Sequence, residues 1–355
     1  MINIKQSRSQ AGFSLLEVTV ALGIMMIVAG AAFSLMRDSM KVAVATYELT
    51  DAQENLRNSH EYLNRDLTNA GDGLLNINNL RVPQNFVSNY LTRTPITDPA
   101  VPVVLNLGVL TADNNVPTST AVLGTTTTVR ATPLLTDRIT MLAVDTQFVP
   151  IDLLPAAINS TGSIITVSAA DISRFAVGEV YFLTSSVGGT FGTITAIDTV
   201  NRRLTFANGD SIGLNLTGTN GHIRTISGAG TLNTSLQRMQ IIHYFVDSNG
   251  LLVRRVFGVR GAAYTDSVIA EHIVSLQFRY VLALKDANGN VVQPVAQLTT
   301  SAQQIATRQV EITVTAETPR AIHNGVNNGT NQTLTMTTNA SIRNMQFRRA
   351  LQPGA

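Results

Sequence analysis

Few residues in this 355-residue chain are spaced for chemistry. Five histidines, His60, His222, His243, His272 and His323, have no i,i+4 partner and no HExxH, the spacing that sets two imidazoles on one helix face around zinc. Cysteine is absent, which excludes disulfides, thiol catalysis and thiolate zinc sites. GxSxG, a P-loop and a strand–GxGxxG–helix unit are missing too. Gly228 and Gly230 in SGAGT make a lone small-residue turn. The run Asp286-Ala287-Asn288-Gly289-Asn290 opens like a calcium loop but lacks the bidentate glutamate that should close it, so it reads as a hairpin turn. Arg343, Arg348 and Arg349 read as a solvated chain end, and at net charge +2 with scattered arginines no nucleic-acid partner is expected. His60 reads as a helix-face residue against a sheet, and His243 as a packed strand residue. No catalytic, metal-binding or cofactor-binding residue emerges, so the expectation is a protein that is not an enzyme.

The residue that asks for a chemical role is Glu17, set inside the apolar stretch QAGFSLLEVTVALGIMMIVAGAAFSLM, Gln10 to Met36. A carboxylate at mid-membrane costs roughly 2.5–3.5 kcal/mol, less near an interface, and is easier to explain if it has work to do. From Phe13 to Met36 a helix would span about 36 Å, more than the roughly 30 Å of a bilayer's hydrocarbon. Lys5 and Arg8 precede the stretch, and Arg37, Asp38 and Lys41 follow it. The two sides are too alike for the positive-inside rule to fix an orientation. A secretory signal peptide is the competing reading, with Val18 to Val28 as its apolar region and Ala29-Gly30-Ala31 as its cleavage box.

The helical pattern continues beyond Met36. Leu49, Ala52, Leu56, His60, Leu63, Leu67 and Ala70 recur at spacings of three and four, while Asp51, Glu54, Arg57, Glu61 and Arg65 fall elsewhere. Gly71 and Gly73 read as C-cap residues, and no proline occurs before Pro83. The spacing therefore predicts one helix from Phe13 to about Ala70, apolar all round in its first half and amphipathic in its second. Cleavage at Ala31 would discard half of that continuity. Gly23 and Gly30 allow close helix packing or are merely small.

The string Gly12-Phe13-Ser14-Leu15-Leu16-Glu17 before an apolar run resembles the cleavage and methylation motif of type IV prepilins and type II secretion pseudopilins. The resemblance implies that a prepilin peptidase cuts between Gly12 and Phe13 and that Phe13, the new N-terminus, is methylated. Glu17 would then lie one helical turn from a cationic amine. In a low-dielectric bundle an unpaired carboxylate is heavily penalised. The family implies pairing with the amine of a neighbouring subunit, which sets axial register during filament assembly. Many major pilins carry a proline in the middle of this segment, and here stand Ser34 and its apolar neighbours, which weighs against a major-subunit role.

Beyond Gly71 the composition is β-rich: 44% hydrophobic, 5% aromatic, no Trp, with much Thr, Asn, Gly and Val. Asn76–Leu135 reads as long loops with short strands. Period-two alternation predicts strands with Ile139, Met141 and Ala143 inward against Arg138 and Thr140. A second has Val274, Leu276, Phe278, Tyr280 and Leu282 inward, and a third has Val310, Ile312, Val314 and Ala316 inward against Glu311, Thr313, Thr315 and Glu317. Asn249-Gly250 marks a hairpin with a type I′ turn. The block from Ala170 to Leu216 reads as a small barrel-like β insert. Such a sheet would pack on the helix, with Leu56, Leu63 and Leu67 as the helix's share of the core.

The expected fold is thus α+β, a long N-terminal helix on an antiparallel sheet head, pilin-like. Its expected parts are a leader (1–12), a transmembrane and assembly half-helix (13–36), an amphipathic half-helix (37–72) and a β-rich periplasmic head (73–355). The segments LNRDLTNAGDG, TDRITML, IIHYFVDSNGLLVRRV, IVSLQFRY, RQVEITVTAET and ASIRNM follow an order similar to that in PilW-like minor pilins and the related J-type pseudopilins. That likeness implies a minor pilin in a pilus priming or tip complex. Its implied partners are other major and minor pilins, the prepilin peptidase, the inner-membrane assembly platform and a membrane crossed once. A type II secretion pseudopilin and a secreted β-rich adhesin with a cleaved signal peptide stand as alternatives.

Overall fold

In a computed structural model the structure describes residues 13–71, 80–83, 86, 103–105, 110–118, 134–145, 147–283, 293–299, 303, 306–323 and 328–342. The helix runs Leu15–Asn69, 55 residues without a break. It starts two residues later than its apolar pattern predicts, because Ser14 caps it. It stops where Gly71 turns to φ 80, a left-handed value that suits glycine, and Gly71 N–H donates to Leu142 O at 2.8 Å. Gly73 lies outside the described residues. The chain forms two compact units, Met1–Asp51 with Thr318–Gln332, and Ala52–Glu317 with Thr333–Ala355.

In the first unit, helix residues from Phe13 to Met40 are exposed, including Leu16 at 75%, Ile27 at 74% and Leu35 at 76%. Residues Ile322–His323 and Asn328–Thr330 pair antiparallel, and the base of this excursion is tied by Thr318 N–H to Gln332 O at 2.8 Å. Ile322 and Glu48 are buried, and Glu48 Oε1 lies 3.9 Å from Arg320 Nε.

In the second unit, Ala52, Leu56, Leu63, Leu67 and Ala70 of the helix are buried in the main core together with the inner faces of two sheets. The larger is a mixed, mostly antiparallel sheet of ten strands. Its centre is Thr234–Val246, 13 residues, long enough to hold different neighbours along its length. Leu135–Val144 and Leu252–Phe257 pair with its second half, while Ile151–Leu153 and Val180–Ser185 pair with its first. Leu80–Val82 joins Gly188–Thr193 in parallel. The second sheet is antiparallel, Ile273–Leu282, Thr307–Glu317 and Thr333–Ser341, with Phe278 opposite Ile312 and Ile312 opposite Thr338.

Val310, Ile312, Val314 and Ala316 are fully buried, as their alternation predicts. Two strands depart from their pattern. A bulge between Ile273 and Ser275 shifts the phase, so Ile273 is buried where Val274 was expected. On Leu135–Val144 both faces are covered: Arg138 and Thr140, expected outward, are 5% and 3% exposed, Arg138 Nε donating to Asp113 and Thr140 Oγ1 bonded to His243. The hairpin at Asn249-Gly250 forms, yet not through a two-residue type I′ turn. Val246 pairs with Leu252, and the loop closes on Asp247, whose Oδ1 accepts the N–H groups of Asn249 and Leu251 at 2.9 Å. Of the pair only Gly250 has a positive φ, 78°.

Within Ala170–Leu216 the strands are divided between two sheets. Val180–Ser185 and Gly188–Thr193 belong to the large one, whereas Arg203–Thr205 and Ala196–Asp198 form a three-stranded sheet with Ile164–Thr166. A second buried cluster draws on residues from Phe148 to Leu236, with Phe148, Phe175 and Tyr181 meeting edge-to-face or tilted at centroid distances of 5.1–5.7 Å.

Candidate processing and assembly site

At the helix start, Glu17 N–H donates to Ser14 O at 3.0 Å and to Ser14 Oγ at 3.2 Å, and Val18 N–H donates to Ser14 O at 3.2 Å. Ser14 is therefore the N-cap and Glu17 the third helical residue, the Ser-x-x-Glu spacing of a capping box. A carboxylate in the first turn also meets the positive end of the helix dipole. Thr19 Oγ1 donates back to Leu16 O at 2.9 Å. The four letters Ser-Leu-Leu-Glu carried this signal in the sequence, where the apolar periodicity drew attention past it. Glu17 thus closes the first turn through its backbone, while its side chain is exposed.

Phe13 precedes the helix and is 84% exposed, with Leu15 and Leu16 at 84% and 75%. Among the described residues no cation stands against Glu17. Gly12, and with it the leader 1–12, lies outside the described residues. Phe13 lies just before the regular helix, which begins at Leu15, and Glu17 lies four residues beyond it, one helical turn on.

The prokaryotic N-terminal methylation motif matches residues 7–33. With the long apolar helix that follows, the chain fits a type IV prepilin-like protein. No curated protein and no solved structure matches it. The prepilin-like helix is long and apolar enough to cross a membrane, and its most apolar window is wholly exposed. Motif and helix together are consistent with anchoring through one N-terminal helix. The head of this prepilin-like chain has the α+β arrangement of a helix against antiparallel sheets.

The other residues singled out from the sequence are not brought together. His60 Nε2–H donates to Met336 O at 3.1 Å while its Nδ1 accepts from Thr338 Oγ1 at 2.7 Å, and burial lowers its pKa. His243 Nδ1 lies 2.8 Å from Thr140 Oγ1. His222, unremarked as a core residue in the sequence, is fully buried, donates Nε2–H to Phe191 O at 2.8 Å and is pushed down to about 4 by that burial. His272 takes φ 57 in a turn. The side chain of His323, the Asp286–Asn290 run, Arg343, Arg348 and Arg349 lie outside the described residues. Among the described residues no cluster of three or more His, Cys, Asp or Glu is placed to hold a metal.

The buried charge that sequence reasoning missed is Asp66, on the helix. It is 6% exposed, accepts Tyr244 O–H at 2.7 Å and pairs with Arg254. This fixes the second half of the helix against the central strand and its neighbour. Nothing in local spacing announces it, since its partners are 178 and 188 residues away.

Proposed function

We propose that this chain is a minor type IV pilin. Its precursor is held in the inner membrane by residues 13–36, with 37–72 as the amphipathic half-helix and 73–355 as the periplasmic head. A prepilin peptidase cuts between Gly12 and Phe13 and methylates Phe13. The new amine and Glu17 then form reciprocal ion pairs with neighbouring pilins as the assembly platform extracts the helix, and the subunit enters a priming or tip complex at the cell surface. It acts by assembly and not by catalysis.

The observation that carries this reading is the coincidence, in one stretch, of the methylation motif, a capped first turn containing Glu17 and an apolar helix surface left exposed among the described residues. An acid in such a helix is tolerable in lipid only near an interface or beside a cation, and a processed N-terminus supplies that cation. A signal-peptide cut after Ala31 would fall within Leu15–Asn69 and sever it.

Terminal sequencing and intact mass of the mature protein test the reading. The expected N-terminus is N-methyl-Phe13 followed by Ser-Leu-Leu-Glu; a chain beginning at Met1, Ala32 or Phe33 would refute it. Glu17→Leu is expected to leave membrane insertion and head stability unchanged, within about 0.5 kcal/mol for so exposed a site. Its incorporation into filaments should fall at least tenfold, measured by immunoblotting sheared filaments. Incorporation at the wild-type level would remove Glu17 from the assembly step.

A further inference from the structure

In the first unit, the helix and the Thr318–Gln332 excursion enclose a groove of about 480 Å³. Phe33, Met36, Met40 and Val44 form its helical wall, with Ile322 opposite. These helix positions recur at three and four residues, so they make one stripe. They are 50–72% exposed, so among the described residues nothing fills the space. Arg37 and Lys41 line the same groove. They are four residues apart on one helix face and therefore adjacent.

Depth along the helix decides what this combination is for. Leu15 to Met36 spans about 33 Å, one hydrocarbon thickness, so Arg37 and Lys41 are the first cations at headgroup level. An apolar trough that runs past two cations at that level matches an amphiphile with an anionic head. We propose that the groove seats one anionic phospholipid, its phosphate between Arg37 and Lys41, its acyl chain descending along Met36 and Phe33 toward the hydrocarbon and its glycerol backbone against Met40. This rests on the membrane-anchored reading above. Asp38 lies 3.3 Å from Lys41 Nζ, but the pair is 66% and 47% exposed. A contact so solvated yields readily to a phosphate that can also reach Arg37.

The lipid would cover the apolar stripe where it emerges from the hydrocarbon and before other subunits reach it. It would also make the subunit sensitive to leaflet composition, because each cation near an anionic surface favours binding by about fivefold.

The test uses the full chain reconstituted in vesicles of equal phosphatidylglycerol and phosphatidylcholine. Flotation is followed by transfer to mild detergent and intact-complex mass measurement. The wild type is expected to float and to retain one phosphatidylglycerol in about tenfold or greater preference over phosphatidylcholine. The double variant Arg37→Gln/Lys41→Gln is expected to float equally and to retain the two lipids alike. A wild type that floats but shows no preference, or a double variant that keeps it, overturns the site while leaving the anchor standing. A lipid-free dimer would assign the groove to a second copy and overturn the proposal likewise. A wild type that fails to float refutes the anchored reading, and the site falls with it.

Discussion

Leu16 and Leu35 lie on the same helix as Leu63 and Leu67, yet the first two are 75% and 76% exposed and the last two not at all. The acids divide the same way. Glu17 is exposed with no cation against it among the described residues, whereas Asp66 is buried between Tyr244 and Arg254. Both carboxylates sit among apolar residues, where an unpaired charge is expensive. In the second half the chain supplies the partners itself. Among the described residues the first half has none, so under the proposed function a membrane and other subunits supply the covering surface and the countercharge. One helix thus carries a solved packing problem and an open one.

The sharpest way to break this comparison is to remove the internal countercharge. Asp66→Ala leaves the Tyr244 hydroxyl and the Arg254 guanidinium without their acceptor. Losing one partner of a buried pair costs about 3–5 kcal/mol. The expected result is a large drop in the unfolding midpoint of the full chain in detergent, where Glu17→Leu produces none. Equal effects of the two substitutions would show that the halves do not differ as described.

A smaller step uses the apolar residues. Leu63→Ala deletes a side chain with zero exposure and is expected to cost about 2–5 kcal/mol in urea unfolding. Ile27→Ala, at 74% exposure, is expected to stay within about 0.5 kcal/mol. It should act instead on filament incorporation or lipid association, measured by shearing or flotation. A loss of head stability from Ile27→Ala would mean that the first half is packed within the chain after all.

How much of this was legible before the structure follows from how local each signal is. Leu56, Leu63 and Leu67 declared their burial because a helix repeats every three to four residues whatever it packs on. Val310 to Ala316 did so because a strand repeats every two. The motif around Gly12, Phe13 and Glu17 was readable for the same reason. Ser14 was legible as a cap but masked by the apolar run that starts beside it. The bulge at Ile273 was not legible, since one extra residue changes the phase without changing composition. Pairing was harder still: the parallel contact of Leu80–Val82 with Gly188–Thr193, the Asp66 cluster and the groove formed by Ile322 with Met40 join segments more than a hundred residues apart. No spacing rule reaches that far.

The smallest expected effect separates the halves by pH. His60 lies on the second half, buried against Thr333–Ser341, and residues 13–51 contain no histidine. Burial lowers the His60 pKa below its ordinary 6.5. As pH falls the unfolded chain therefore takes up the proton first. The stability contribution is complete above pH 6.5 and declines as pH falls toward the folded value. His222, pushed down to about 4 by burial, acts with the same sign over pH 6.5 to 4. Asp137, raised by desolvation, acts with the opposite sign, its contribution being lost as pH rises through its folded pKa. Subtracting the profile of His60→Gln from that of the wild type isolates the helix term, because Gln keeps an amide donor for Met336 O. The difference in unfolding free energy is expected to be constant above pH 7.5 and to shift against the wild type between pH 6.5 and 5. Flotation with vesicles, which reports the first half, should not change over that range. A pH-independent difference would mean that His60 is as solvated folded as unfolded, and that the second half of the helix is held less closely than its leucines indicate.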